Sequence, residues 1–321
     1  MLLGLLLLVG GGALLVRGAS EIASNFGISP LVIGLTVVGF GTSAPELVVN
    51  TIGAATGETD LAFGNVVGSN ISNLALVLGA VALMMPITIQ GSLVKRELPL
   101  LLLGTTIMTI MALDSLLEGR PAAIGRSDAL ILLLLFGIFV YTNVLDLLQE
   151  KGKDRLLLEV EDYPLVATQA ASRMPWLLAI GGVAMLFFGG KWTVESAADI
   201  ATGFGIPAAT VGLYVIAIGT SMPELVTSII AAIRKESDLA LGNVIGSNLF
   251  NSLVVLPASA LIAPITIPTG GVGDLVMSWA LAAFLVPVFF LGRARLGRVS
   301  GCALLLAYVA YAVWRVMYAD V

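Results

Sequence analysis

The chain has 321 residues, of which 58% are hydrophobic and only 12% charged, against about 45–50% and about 25% in soluble globular domains. That composition excludes two or three soluble domains and implies many membrane spans. The formal net charge of −5 comes with no basic stripe suited to nucleic acid, so no nucleic-acid partner is expected.

There is no histidine, which removes the commonest transition-metal ligand. An ion site here must be built from oxygen, which suits hard cations such as Ca2+, Mg2+ or Na+. The one cysteine, Cys302, cannot form an internal disulfide and lies in an apolar run. No cofactor is expected. The chain lacks a nucleotide loop and a nucleophile–base pair, and GVGDL at 271–275 is a lone glycine turn, so an enzyme is the least supported class.

A helix needs about 20 apolar residues to cross a bilayer. In chain order the predicted spans are 2–22, 30–56, 61–84, 94–113 and 128–148, then 174–196, 207–232, 239–262, 273–291 and 300–317. The expected fold is therefore an all-α membrane protein of ten transmembrane helices. The opening stretch resembles a signal peptide in length but lacks a basic start. It aligns with 174–196 (Gly11 with Gly189, Glu21 with Asp199), so it reads as a retained span. A charged connection at 149–173 divides the chain into a first five-helix repeat, 1–148, and a second, 174–321. Of the 16 lysines and arginines, only Arg120, Arg126, Lys191 and Arg315 fall outside if both termini are outside, which is the predicted orientation in the cell membrane. Five spans per half is an odd number, so the two repeats must be inverted.

The duplication is explicit in the residues. GTSAPELV at 41–48 returns as GTSMPELV at 219–226, and ETDLAFGNVVGSN at 58–70 returns as ESDLALGNVIGSN at 236–248. Each copy carries a glutamate, Glu46 or Glu224, in the middle of an apolar span. Pro45 and Pro223 interrupt the helix just before it, because proline lacks the N–H and clashes with the preceding turn. Carbonyls freed in this way need partners inside a membrane, and a dehydrated cation can be one. Thr42 and Ser43 lie four and three residues before Glu46, on the same helix face, and Thr220 and Ser221 repeat this before Glu224. A mid-bilayer charge costs at least about 2.5 kcal/mol, and no structural need explains two. In the next span of each half, Ser69 and Asn73 share a face, as do Ser247 and Asn251, and both pairs are candidate oxygen ligands. Gly64, Gly68, Gly242 and Gly246 form small-xxx-small patterns for close helix packing. For Asn65, Asn70, Asn243 and Asn248, packing or capping competes with ligation.

These paired motifs, GTSAPEL…GNVVGSNISN and GTSMPEL…GNVIGSNLFN, closely resemble the α-repeats of the sodium/calcium exchanger family, within the Ca2+/cation antiporter superfamily. The resemblance covers essentially the whole chain and is to the prokaryotic type, without regulatory domains. It implies a secondary antiporter that exchanges Na+ for Ca2+ across the lipid bilayer by alternating access. It implies Glu46 and Glu224 as ligands shared by both ions, with Thr42 and Thr220 contributing backbone carbonyls to Ca2+. It further implies one flanking Na+ site at Ser43, Ser69 and the Gly39 carbonyl, and another at Ser221, Ser247 and the Ala217 carbonyl. Asn73 and Asn251 would line the middle. Potassium-dependent relatives carry aspartate at the position of Asn251, so its neutral amide implies K+ independence. Two carboxylates balance one Ca2+ or two Na+; a third Na+ would make the cycle electrogenic. The rival expectations are a Ca2+/H+ or other divalent/H+ antiporter, whose family branch has GN in place of GTS, and a cation channel.

Overall fold

The computed structural model describes residues 1–89, 91–117, 119, 121–160, 173–203, 217–291 and 294–317. It is helical almost throughout. Helix α1 (Leu2–Phe26) stops where Gly27 takes a left-handed φ of 65°, and its N–H returns to the last turn, as glycine C-caps do. Ser29 then caps the next start, accepting from the Val32 N–H at 3.3 Å, with Pro30 at the first helical position. That helix, α2 (Pro30–Thr42), and α3 (Ala44–Thr56) are one predicted span bent by 43° at Ser43. The break falls just before Pro45, as the sequence requires.

Helix α4 (Thr59–Met84) is followed by the short strand β1 (Ile87–Thr88), α5 (Gly91–Lys95), α6 (Glu97–Met111), α7 (Asp114–Leu117), β2 (Ala123–Ile124) and α8 (Arg126–Val160). The second half runs α9 (Met174–Gly203), α10 (Ala217–Thr220), α11 (Met222–Ile233) and α12 (Ser237–Ile262). It continues with β3 (Ile265–Thr266), α13 (Gly271–Leu291), β4 (Arg295–Leu296) and α14 (Arg298–Met317). Six of these helices are long and apolar enough to span a membrane, seven when α2 and α3 count as one. One expectation is revised and part of another is not covered. The connection at 149–173 begins as helix, because α8 continues to Val160. The first part of the predicted span 207–232, through 216, lies outside the described residues.

The strands, which hydropathy did not reveal, expose the symmetry. β1 and β3 occupy equivalent places in the duplication. β1 pairs antiparallel with β4, and β3 with β2, so each half contributes one strand to each pair. The two pairs sit at opposite ends of α4: Thr59, at its start, meets Thr266 of β3 at 2.8 Å, whereas its end leads into β1.

At the centre lie α12 and α4, whose apolar stretches are 94% and 78% buried, while that of α8 is 22% buried. α12 crosses α2 at bare backbone. A Cβ on Gly246 would come within 2.3 Å of the Leu35 carbonyl oxygen, and one on Gly242 within 2.6 Å of that of Leu31. The second small-xxx-small pattern is thus a packing device. A Gly246→Ala variant should lose about 1–3 kcal/mol, because backbone on both sides would have to part. Gly53→Ala, whose new methyl would have its nearest neighbour 3.5 Å away, should not. Thermal unfolding in detergent checks this, and equal melting temperatures for the two variants would contradict it.

Candidate ion-binding site

The break at Ser43 and its repeat at Ser221 place each glutamate in the first turn of a new helix. Ser43 and Ser221 have nearly the same backbone angles (φ −89°, ψ 4° and φ −86°, ψ 4°). Glu46 in α3 and Glu224 in α11 follow three residues later, both fully buried. The positive end of a helix dipole favours an acidic group in this position. Two π-helical turns, at Ser72–Val77 in α4 and Asn251–Val255 in α12, carry Asn73 and Asn251. Such turns displace a side chain from the regular helix face and recur at functional sites. Here α3 packs on the Asn251 turn and α11 on the Asn73 turn, so each glutamate helix packs on the π-helical turn of the other half.

Hydrogen bonds around Glu224 define a first cluster. Ser43 Oγ donates to Glu224 Oε1 at 3.0 Å, and Ser247 Oγ lies 3.5 Å from the same oxygen and 3.2 Å from the Gly39 carbonyl. Thr42 Oγ1 stands 3.2 Å from Ser247 Oγ. The structure therefore joins Gly39, Thr42, Ser43, Ser247 and Glu224. The expected grouping placed Ser69 with Gly39 and Ser43; the serine hydrogen-bonded to the Gly39 carbonyl is Ser247, from the opposite half, where α12 crosses α2 at its glycines. Ser69 Oγ itself has no hydrogen-bond partner. The duplication maps this cluster onto Ala217, Thr220, Ser221, Ser69 and Glu46. Of these, α10 presents Ala217 and Thr220 directly before Ser221.

Most of the buried unpartnered polar atoms fall on the predicted residues; Asn50, Asn70, Glu97, Thr227 and Asn248 carry one each as well. Both oxygens of Glu46, Oε2 of Glu224, both amide atoms of Asn73 and Asn251, and the hydroxyls of Ser69 and Ser221 are buried without a hydrogen bond. Leaving such groups unsatisfied costs about 1–3 kcal/mol each, more for charges. The two carboxylates repel one another across the site, and among the described residues neither has a basic partner. Their surroundings thus fit a cation: anionic and neutral oxygen, no nitrogen base, no water-exposed surface.

The four uncertain asparagines separate cleanly. Asn248 Nδ2 donates to the Asn70 carbonyl (3.1 Å) and Asn70 Nδ2 to Ser252 Oγ (2.8 Å), so both tie α4 to α12. Asn65 Nδ2 donates to Asn50 Oδ1 (3.2 Å), and Asn243 Nδ2 to Ser228 Oγ (2.9 Å). Asn50 and Ser228 were missed. Each lies four residues after a glutamate, and that spacing was the available signal.

With this geometry in hand, comparison with known proteins is decisive. The model of the sodium/calcium exchanger protein family matches residues 1–145 and 174–317. The chain belongs to the sodium/calcium exchanger family. It is 40% identical over 314 residues to CaxA of Alkalimonas amylolytica, covering 97% of this chain and 96% of that protein. It is 29% identical to the sodium/calcium exchanger MaX1 of Methanosarcina acetivorans, covering 98% and 96%. The structure of the sodium-calcium exchanger NCX_Mj, soaked with Na+ and Ca2+, superposes with a TM-score of 0.80 at 28% identity, covering 98% of this exchanger chain and 96% of that one. The protein is thus a multi-pass membrane antiporter of the sodium/calcium exchange type, a transporter family and not an enzyme class.

Glu46→Gln and Glu224→Gln should each reduce ion-driven Ca2+ flux to the level of empty vesicles, since one neutral amide leaves a divalent cation with half its balancing charge. Tracer uptake by reconstituted variants checks this, and wild-type flux in either would remove that glutamate from the site.

Proposed function

We propose that this exchanger carries Ca2+ in one direction and Na+ in the other through a single buried site, by alternating access. The supporting observation is the pair of buried carboxylates, Glu46 and Glu224, without a basic partner and ringed by unpartnered oxygens. An empty ionised pair is costly in a low-dielectric interior. One Ca2+ balances both charges, and so do two Na+. Since the two loads need the same carboxylates, they compete, and the protein crosses between its states only when loaded.

In this reading Glu46 and Glu224 hold Ca2+ together with backbone carbonyls of Thr42 and Thr220, with Asn73 and Asn251 lining the middle. Na+ occupies the flanking clusters: Gly39, Thr42, Ser43 and Ser247 beside Glu224, and Ala217, Thr220, Ser221 and Ser69 beside Glu46. A third Na+ makes the cycle electrogenic, each net charge being worth about 2.3 kcal/mol per 100 mV. The neutral amide of Asn251 supports K+ independence. The repeats are 1–148 and 174–321, with both termini on the outer face of the cell membrane.

The moving part in this proposal is the α1–α9 pair. These helices touch backbone to backbone: a Cβ on Gly11 would meet the Gly182 carbonyl oxygen at 2.8 Å, and one on Gly189 would meet the Leu8 nitrogen at 2.7 Å. Such contact makes the pair a single body, while Gly12 faces Thr227 and Ile230 of α11, and Gly190 faces Pro223.

The test is 45Ca2+ uptake into proteoliposomes loaded with Na+, K+ or choline. Uptake should require internal Na+, be indifferent to K+, and rise when the imposed potential makes the vesicle interior positive, because three Na+ leaving for one Ca2+ entering carries one net positive charge outward. Uptake driven by a pH gradient without Na+ would instead establish proton coupling. Asn251→Asp should add a third negative charge and make the flux sensitive to K+ or pH, and an unchanged ion dependence would separate Asn251 from the site.

A further inference from the structure

The asparagine that the sequence left between packing and ligation, Asn243, links the helix of Glu224 to Thr42. It is fully buried in α12 and joins three elements. Its Nδ2 donates to the backbone carbonyl of Glu224 at 3.3 Å and to Ser228 Oγ at 2.9 Å, while its Oδ1 lies 3.1 Å from Thr42 Oγ1. The Glu224 carbonyl can only accept, so the amide nitrogen must face it, and this fixes the orientation of the whole amide. Oδ1 therefore faces Thr42 and can only accept there. The single Thr42 hydroxyl hydrogen has Asn243 Oδ1 (3.1 Å), the Gly39 carbonyl (3.3 Å) and the Glu224 carboxylate as acceptors; a cation beside that carboxylate repels the hydrogen from the cluster and turns it onto Asn243.

The consequence lies on the other side of the Thr42 oxygen. With its hydrogen committed to Asn243, its lone pairs are presented to the Glu224 cluster. Ser247 Oγ, 3.2 Å away, has the Gly39 carbonyl and Glu224 Oε1 as alternative acceptors. Two hydroxyl oxygens at that separation, neither hydrogen lying between them, form an edge on which a small cation can sit. We propose that Asn243 is a positioning residue for ion selectivity: it turns the Thr42 side-chain oxygen into a cation ligand of the flanking cluster. This rests on reading that cluster as an ion site. The cluster offers a single carboxylate oxygen, Glu224 Oε1, among neutral ones, which suits a monovalent ion, whereas Ca2+ draws on both glutamates. The effect of Asn243 therefore falls on Na+ more than on Ca2+.

The experiment compares wild type, Asn243→Ala, Thr42→Val and the double variant in proteoliposomes. It measures the half-saturating concentrations of Na+ and Ca2+ separately. The expected result is a rise of about tenfold for Na+ in each single variant, the scale of one hydrogen bond to a charged centre, with Ca2+ changed less than about twofold on the same reasoning. The double variant should be no worse than either single one. Equal changes for both ions, no change, or additive changes would reduce Asn243 to a staple between α11 and α12 and overturn the proposal. If Asn243→Ala does not reach the membrane folded, Asn243→Ser, too short to reach Thr42, provides the same comparison. Absence of Na+-driven uptake in the wild type would instead overturn the reading of the site as a Na+/Ca2+ exchange centre.

Discussion

Two carboxylates fully removed from water, with no basic partner among the described residues, constrain everything else in this molecule. Their mutual repulsion and lost hydration would destabilise a membrane protein unless charge is brought to them. The surrounding architecture supplies the remaining conditions for doing so with a cation. Proline breaks start new helices just before each glutamate, π-helical turns aim two asparagines inward, and serines and carbonyls arrive from opposite halves. Under the proposed function, such a site would exchange rather than leak, because the negative charge that recruits Ca2+ has to be balanced before the protein rearranges.

The duplicated architecture gives two-sidedness to a single centre. Each strand pair takes one strand from each half, and each glutamate helix packs on the π-helical turn of the other half. The halves are thus interlocked at the site rather than merely adjacent. They are not identical, however. Asn50 follows Glu46 where Ser228 follows Glu224, and Gly57 turns the chain with φ 87° where Lys235 does so with φ 63°. The two halves therefore differ in the residues one turn beyond each glutamate and at the ends of the helices that carry them.

Much of this was legible in the sequence, for identifiable reasons. Apolar run lengths located the spans, because only a helix satisfies its backbone in lipid, and Pro45 announced the bend at Ser43. The glutamates stood out because a charge inside an apolar span needs a purpose. Cross-half pairing was not legible: which serine meets the Gly39 carbonyl depends on which helix crosses α2, and Gly242 and Gly246 reveal that crossing only when Leu31 and Leu35 are seen against them. The π-helical turns carry no composition of their own. Nor does spacing say which way an amide points, so the contrast between Asn248, bonded to backbone, and Asn251, unbonded, emerges only from the packed structure.

The most direct test of a shared site is equilibrium binding of 45Ca2+ to the purified exchanger in detergent, titrated with Na+. One Ca2+ should bind per chain and be displaced competitively by Na+, with a displacement curve steeper than one-to-one, and binding should vanish when Glu46 or Glu224 becomes glutamine. Ca2+ and Na+ bound together without mutual displacement would contradict a single carboxylate pair serving both ions.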